Sequence, residues 1–557
     1  MSDERADRTD QDAPVAGVNV EGARVIAFPG AEQPGAEHHG LSDIAADDPI
    51  ALDAATDGPG IEPDLLDPSF EAVAHAHQPM GVAEVQRLAL RGVAVLAVRT
   101  FGLRMITFSG NVLLARLLVP KAFGLFAIVS FVVNLAAFLA DMGIGPALIQ
   151  RQKDLTEDDL RTAFTLSFFV DLIFTVALLL AAPWIVRIYH LDPRYALPVR
   201  VLSVTILLST FATIPNITLE RSLQFGKDSA CDMIASLVYI ITCVALAYSG
   251  LHVWAFVIAS ILSRVVNAAL LNIFAFWRPR FGLSRASVKE LLSFGLPYQG
   301  TGILIQFKDS FVPTFLAVVA GASAVGYINW AVGMAANPLF LLAIVTKVTF
   351  PAYSRLQNDR RALRNALEQS IKWVAATVFP VALMLMALAP QIVHYVYSPK
   401  WAPGLPAFYM MCIPIMLSSY STVMVSALYG MGRAKQVLKL TVIWTIVGWG
   451  LSVPLTLKIG YNGWALAMLL TSTLSVLSVR EVNRVIKISF VPTLVRIFAS
   501  AALPALGVWV LAPHIVHDLT SLAFLGFAGG IGYLSLMVMG GDGREAQRLM
   551  KMVLKRA

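Results

Sequence analysis

Charge is scarce in this sequence. Only 14% of the residues are Asp, Glu, Lys or Arg, against about 25% in a soluble globular domain. With 57% of the chain hydrophobic, soluble cores cannot hide so much apolar side chain, which excludes a cytosolic enzyme. Cysteine is nearly missing too: Cys231, Cys243 and Cys412 sit in or beside apolar runs, so there is neither a disulfide framework nor metal-ligand spacing. No Walker loop is present, which argues against ATP hydrolysis by the chain itself. The N-terminus is polar and acidic, so no signal peptide is expected. His38–His39 and His75/His77 have no neighbouring Cys and read as solvated side chains, so no metal and no cofactor are expected.

What is present divides sharply. Residues 1–80 hold 17 of the 36 acidic residues but only Arg5, Arg8 and Arg24 among the bases, so this segment is strongly acidic and the remainder strongly basic. Rich in Asp, Ala, Pro and Gly, the segment 1–85 reads as a disordered acidic tail. From about residue 92, apolar segments follow one another, each long enough to cross about 30 Å of hydrocarbon as a helix. Fourteen are expected: 92–117, 122–150, 161–187, 197–218, 229–249, 251–277, 291–319, 322–350, 367–396, 403–429, 436–457, 461–483, 491–512 and 518–540. The runs are continuous, not alternating, which excludes membrane strands. Lys and Arg fall overwhelmingly in alternate loops, so both termini are expected on the cytoplasmic side. That asymmetry accounts for most of the basic balance and leaves no case for nucleic acid.

The apolar part repeats itself. Leu114-Ala115 precedes Gly124 as Leu316-Ala317 precedes Gly326; Pro146-Ala147 recurs as Pro351-Ala352, each followed by Gln-x-Asp at the same spacing. Leu160-Arg161-x-Ala163 recurs as Leu363-Arg364-x-Ala366, Ala182-Pro183 as Ala389-Pro390, Leu197-Pro198 as Leu405-Pro406, and Gly250-(x3)-Trp254-Ala255 as Gly460-(x3)-Trp464-Ala465. Six helices per repeat give two halves of the same orientation, related by an axis along the membrane normal. The expected architecture is therefore all-α and polytopic: an N-lobe (86–287), a C-lobe (288–487), and a helix pair with a basic tail (488–557). Two such lobes facing a central cleft suit alternating access, although a duplicated scaffold without transport has the same sequence signature.

Ionisable groups inside a membrane face a cavity or a partner. In the first helix Thr100, Arg104, Thr107 and Asn111 form one polar stripe, flanked by Arg99. Its repeat counterpart carries Tyr298, Thr301 and Lys308, with Gln299, Gln306 and Asp309 alongside. Arg264 lies mid-helix, either in the cavity or paired with Asp171 or Asp232. Asp141, Lys347 and Lys372 sit nearer the boundaries; Arg116 and Arg200 read as interfacial. The mid-membrane excess is cationic, which favours an anionic substrate, and Arg suits bidentate phosphate contact. Arg99, Arg104, Asn111, Arg264 and Lys308 are the candidate substrate-binding residues. Asp309, Asp141 and Asp171 are candidates for ion coupling. The longest outer loop, with His190, Asp192 and Arg194, is too short for a catalytic site, so no enzyme activity is expected.

The stretches Leu114-Ala-Arg-Leu-Leu-Val-Pro-Lys-Ala-Phe-Gly124, Asp141-Met-Gly-Ile-Gly-Pro-Ala-Leu-Ile-Gln-Arg151 and Phe350-Pro-Ala-Tyr-Ser-Arg-Leu-Gln357, with Leu292-Ser-Phe-Gly-Leu296 and Lys400-Trp401, resemble the polysaccharide exporter family. These are Wzx-type oligosaccharide flippases of the multidrug/oligosaccharidyl-lipid/polysaccharide superfamily. The resemblance covers about residues 88–490; the acidic tail departs from it. It implies a fourteen-helix fold that moves undecaprenyl-diphosphate-linked oligosaccharide to the outer leaflet of a bacterial inner membrane. Implied partners are that anionic lipid-linked oligosaccharide, membrane lipids, and the polymerase and chain-length or export proteins of the same pathway. An ion-coupled multidrug-type antiporter and a non-transporting scaffold of a glycan-assembly complex are the alternatives. The cationic excess favours the flippase.

Because topology is set by the basic loops, a chain truncated through Asp67 is expected to insert in the same orientation as the full chain. Reporter fusions at loop positions read this, and an inverted or uninserted product would show that the tail carries topological information.

Overall fold

A computed structural model describes residues 102, 104–151, 155–222, 224–339, 342, 349, 353–354, 356–357 and 359–539. The acidic tail, Arg99, Thr100, Lys347 and the basic end beyond 539 lie outside the described residues. Among the described residues there are helices and no strands. In chain order they are α1 (104–117), α2 (Pro120–Ala140), α3 (Ile144–Gln150), α4 (Glu157–Ile188), α5 (Ala196–Arg221), α6 (Phe225–Tyr248), α7 (His252–Phe274), α8 (Arg285–Asp309) and α9 (Ala317–Ala335). There follow α10 (Arg360–Gln391), α11 (Leu405–Gly430), α12 (Ala434–Ile459), α13 (Tyr461–Ser472), α14 (Val476–Asn483), α15 (Val491–Ile515) and α16 (Leu519–Met537).

Twelve helical spans among the described residues are long and apolar enough to cross a membrane. Their outward faces carry large apolar side chains in the open, such as Leu180, Trp184 and Ile241. In water that surface would be untenable; in hydrocarbon it is solvated. The chain is a multi-pass membrane protein. Helix starts are fixed by local chemistry: Thr156 and Asp159 form a capping box at α4, Asp359 caps α10, and Asp518 with Ser521 caps α16.

Several expected spans are interrupted, among them 367–396, π-helical from Ile392, and 461–483, broken at Thr473–Ser475. The run 122–150 breaks after Ala140, where Met142 and Gly143 take positive φ of 47° and 69° before the short α3. Between the expected spans 291–319 and 322–350, the chain leaves α8 through a π-helical segment, Val312–Leu316, and kinks at Gly321, whose φ is 78°. The run 322–350 does not continue as one helix either: α9 stops at Ala335 and residues 336–338 form a turn. Pro338 explains that stop, because a proline disfavours helical backbone at the residue before it and offers no amide hydrogen.

The matched repeat positions meet physically. At the Pro120 end of α2, the backbones of α2 and α9 cross so closely that a Cβ on Gly124 would lie 1.6 Å from the Ala322 carbonyl oxygen. A Cβ on Gly326 would lie 2.1 Å from that of Pro120. The offset of 202 pairs Gly124 with Gly326 and Pro120 with Ala322, so the contact is reciprocal, as a two-fold crossing requires. Trp401 locks the same end: its ring is fully buried, its Nε1 donates to the Ala115 carbonyl at 2.9 Å, and it packs edge-on against Phe123. Lys400 Nζ donates to the Arg116 carbonyl at 2.7 Å, and Arg116 donates to the carbonyls of Val396 and Tyr395.

The opposite end is also closed. A Cβ on Gly143 would meet the Gly295 carbonyl at 2.5 Å, and one on Gly295 would meet that of Met142 at 2.3 Å. Gln299 donates to the Phe138 carbonyl. Arg151 ion-pairs with Asp159 at 2.5 Å and with Glu290 at 3.1 Å, while Ser287 donates to Asp159 at 2.6 Å. Separately, α15 and α16 dock on α10, where the Tyr533 hydroxyl donates to the Ala376 carbonyl at 2.7 Å.

Gly124→Ala should force the Pro120-end seam apart, since overpacking of this kind costs about 1–3 kcal/mol. With the three native cysteines buried, a cysteine placed at Asn111 reports the opening: its labelling by an impermeant maleimide should rise about tenfold, the equivalent of about 1.4 kcal/mol within that range. Gly507→Ala, whose Cβ would meet nothing within 4 Å, is the control. Unchanged labelling in Gly124→Ala would show that this crossing does not hold the seam.

Candidate functional site: a polar cleft between the repeats

Between the two closed ends lies a cleft of about 260 Å³. The first repeat contributes Arg104, Thr107, Phe108, Asn111 and Ala115 from α1 and Phe123 from α2; the second contributes Asn329, Trp330, Gly333 and Met334 from α9, Asn337 from the turn after it, and Tyr397 and Trp401. The spacing of α1 brings Arg104, Thr107 and Asn111 onto one face, as the stripe predicts.

Arg104 is half-buried and reaches across the cleft: its Nη2 donates to Asn337 Oδ1 at 2.9 Å. The Asn337 amide is in turn held by a bond from its Nδ2 to the Met334 carbonyl at 3.0 Å. Arg104 Nε is buried with no acceptor among the described residues, and so is Trp330 Nε1. The Trp330 indole is fixed by edge contact with Tyr397 and stacking on Trp401, and a Cβ on Gly404 would already touch it at 2.9 Å. Two rigidly held donors of the cleft-lining residues are therefore left without an acceptor among the described residues. A buried unpaired donor costs about 1–3 kcal/mol, so the cleft is chemically suited to an acceptor-rich or anionic group.

The other expected site residues are dispersed. The side chain of Lys308 lies outside the described residues, as does Arg99. Arg264 is exposed and has no hydrogen-bond or ion-pair partner among the described residues. Arg264 is not among the described residues that line the cleft. The alternative of an Arg264–Asp171 pair is not what forms: buried Asp171 accepts from Thr210 Oγ1 at 2.5 Å. Asp232 accepts from Asn267 at 3.3 Å. Asp141 caps the end of α2, Asp309 ends α8, and neither lines the cleft. Arg200 Nε donates to the Leu179 carbonyl at 3.1 Å, and Lys372 lies over the Trp373 ring.

Asn329, Trp330 and Asn337 are site residues that the polar-stripe reading of α1 and α8 missed. Their signal was present: Asn329, Gly333 and Asn337 recur every fourth residue on one helix face, just before Pro338.

A second cleft mirrors the first. It has a volume of about 570 Å³ and is lined by Phe131, Leu135, Phe138 and Leu139 of α2, Ile303 and Gln306 of α8, Ser310, Thr314 and Phe315 of the π-helical segment, Val318 and Trp449. At the offset of 202, Arg104 corresponds to Gln306, Phe108 to Ser310, Gly333 to Phe131 and Asn337 to Leu135. The twin is almost wholly apolar where the first is polar.

Comparisons with known proteins agree with this geometry. The family described as "Polysaccharide biosynthesis protein" matches residues 113–406. Lipopolysaccharide biosynthesis protein WzxC of Escherichia coli (strain K12) is 26% identical over 361 residues, covering 64% of this chain and 72% of that one. Succinoglycan biosynthesis transport protein ExoT of Rhizobium meliloti (strain 1021) is 25% identical over 337 residues, covering 60% and 67%. Among solved structures, the lipid II flippase MurJ in an inward closed conformation superposes with a TM-score of 0.67 at 14% identity, covering 80% of this chain and 98% of that one. An inward-facing multidrug resistance MATE family transporter of the MOP superfamily gives 0.53 at 19% identity, covering 72% and 98%. These two likenesses establish the fold.

Arg104 is partnered by a neutral amide and, among the described residues, forms no ion pair with Asp141. Arg104→Met should therefore cost only about one hydrogen bond, about 1.5–3 kcal/mol for one involving a charged group, and leave the protein abundant in the membrane. Loss of the protein from the membrane, as expected when a buried charge is left unpaired, would instead reveal a carboxylate partner.

Proposed function

The chain belongs to the polysaccharide biosynthesis protein family, and from that membership we propose that it is a flippase for lipid-linked oligosaccharide. Its substrate is an anionic repeat unit carried on undecaprenyl diphosphate, moved from the cytoplasmic to the outer leaflet of a bacterial inner membrane, with both termini in the cytoplasm. The observation that carries this reading is the cleft between the repeats, where Arg104 and Trp330 present buried donors that have no acceptor among the described residues. Phosphate oxygens and sugar hydroxyls supply acceptors in that arrangement, and a guanidinium binds phosphate through a planar fork.

The repeats act as two lobes, 86–287 and 288–487, that rock against each other and part the Gly124–Gly326 crossing when the Pro120 end opens. Opening one end requires breaking the Trp401–Ala115 and Arg116 bonds; opening the other requires breaking the Arg151–Glu290 pair and the Gly143–Gly295 contact. Arg104 and Asn111 bind the head group in the cleft; Arg99, Arg264 and Lys308 stay candidate substrate contacts outside its described lining. Asp141, Asp171 and Asp309 remain candidates for ion coupling. Among the described residues, none lining the cleft is acidic, which weighs against an antiporter of cationic drugs. The protein moves its substrate without altering it and works beside the polymerase and chain-length or export proteins of its pathway.

Deleting the gene in a strain without a paralogue should make lipid-linked oligosaccharide accumulate and surface polysaccharide disappear. Restoring the Arg104→Ala protein should not rescue export despite normal abundance. Arg104→Lys should rescue it in part, because an ammonium keeps the charge but loses the fork. Normal polysaccharide and no accumulated intermediate in the deletion strain would overturn the reading.

A further inference from the structure

The bond between Arg104 and Asn337 joins the first repeat to the second across the cleft. Its acceptor is a neutral amide, and that choice has consequences. The amide is oriented by its own bond to the Met334 carbonyl, so Oδ1 is held toward the guanidinium without adjustment. It lies in the turn made by Pro338, where α9 is interrupted and the backbone can project a side chain along the cleft. Arg104 meanwhile leaves Nε buried and without an acceptor among the described residues. Asn337 therefore takes one edge of the guanidinium and leaves another edge unmet.

Resting on the flippase reading of this cleft, we propose that Asn337 is a positioning residue: it holds Arg104 across the repeats in the empty cleft and gives it up to the diphosphate of the substrate. A hydrogen bond from a guanidinium to an anionic phosphate is stronger than one to a neutral carbonyl. An incoming diphosphate therefore displaces the amide, satisfies Nε, and removes a bond that ties α1 to the end of α9. An aspartate in the same place would make an ion pair that the substrate would have to break. An amide aims the arginine while leaving it available, and substrate entry itself loosens the contact between the repeats.

Two substitutions at this position should move affinity in opposite directions. The probe is geranylgeranyl diphosphate, titrated into the purified full-length protein in detergent. Asn337→Ala removes the competitor for Arg104 and should bind the probe at least about tenfold more tightly, the lower end of what one hydrogen bond to a charged group is worth. Asn337→Asp should bind it at least about tenfold more weakly, because the introduced carboxylate competes as a charge. In an Arg104→Met background the gain from Asn337→Ala should vanish, as coupled residues require, while the direct repulsion introduced by Asn337→Asp should persist. Asn337→Ser, too short to span the cleft, should follow Asn337→Ala and serves in its place if that protein proves unstable. Weaker binding by Asn337→Ala, or parallel weakening by both substitutions, would overturn the proposal while leaving the diphosphate site standing. Absence of probe binding by the unsubstituted protein would overturn the site and the proposal together.

Discussion

The approach of two backbones at Gly124 and Gly326 is the constraint on which the rest of the molecule depends. No side chain can be inserted at either position without striking a carbonyl of the opposite helix. Because the two contacts are reciprocal, they bring the two repeats together along a line, and everything polar in the interior is positioned relative to it. Just beyond the crossing, α1 and α9 diverge enough to leave the polar cleft; on the other side α2 and α8 leave the apolar one. Trp401 fills the corner where α1, α2 and α9 meet, and its bond to a backbone carbonyl holds that corner whatever side chain stands at position 115.

Hydrocarbon permits few exceptions to complete backbone hydrogen bonding, and the exceptions here are concentrated at the seam. The π-helical segment 312–316, the kink at Gly321, the turn at 336–338 and the positive φ at Met142 and Gly143 all lie on helices that face the other repeat. The interiors of α6 and α7 run without such breaks, and the positive φ at Gly250 and His252 falls where the two join. Irregular backbone is tolerated where protein or a polar cavity replaces the lipid, and that is also where a moving contact must form and release.

Much of this was legible in the sequence. Continuous apolar runs announced the helices, and the stripe Arg104–Thr107–Asn111 announced one wall of the cleft, because helical periodicity converts spacing directly into a shared face. The repeat located Gly124 and Gly326, though not that each would touch the partner of the other. The opposite wall was harder to see. Asn329 and Asn337 carry no charge, so they did not stand out against an intramembrane background judged by ionisable residues. Asp171 illustrates the reverse error: a carboxylate in a membrane helix invites a cationic partner, whereas here a threonine on the adjacent helix satisfies it. Hydropathy also overlooks interruptions, since Asn337-Pro338 alters the mean of a long window very little while ending a helix.

The unlike pair of clefts has a consequence for how such a molecule could arise. Two separate copies of one gene product meeting at a two-fold axis must present identical walls, so an arginine in one cleft means an arginine in the other. Each such residue carries an insertion cost of about 2.5–3.5 kcal/mol at mid-membrane depth. Fusion of the two copies into one chain removes that obligation. Position 104 keeps its arginine while position 306 is glutamine, and position 337 keeps its asparagine while position 135 is leucine. The glycines at the crossing must stay alike because geometry is shared, but the walls are free to drift apart. A single covalent link between the halves thus lets a symmetric scaffold hold an asymmetric, amphipathic interior.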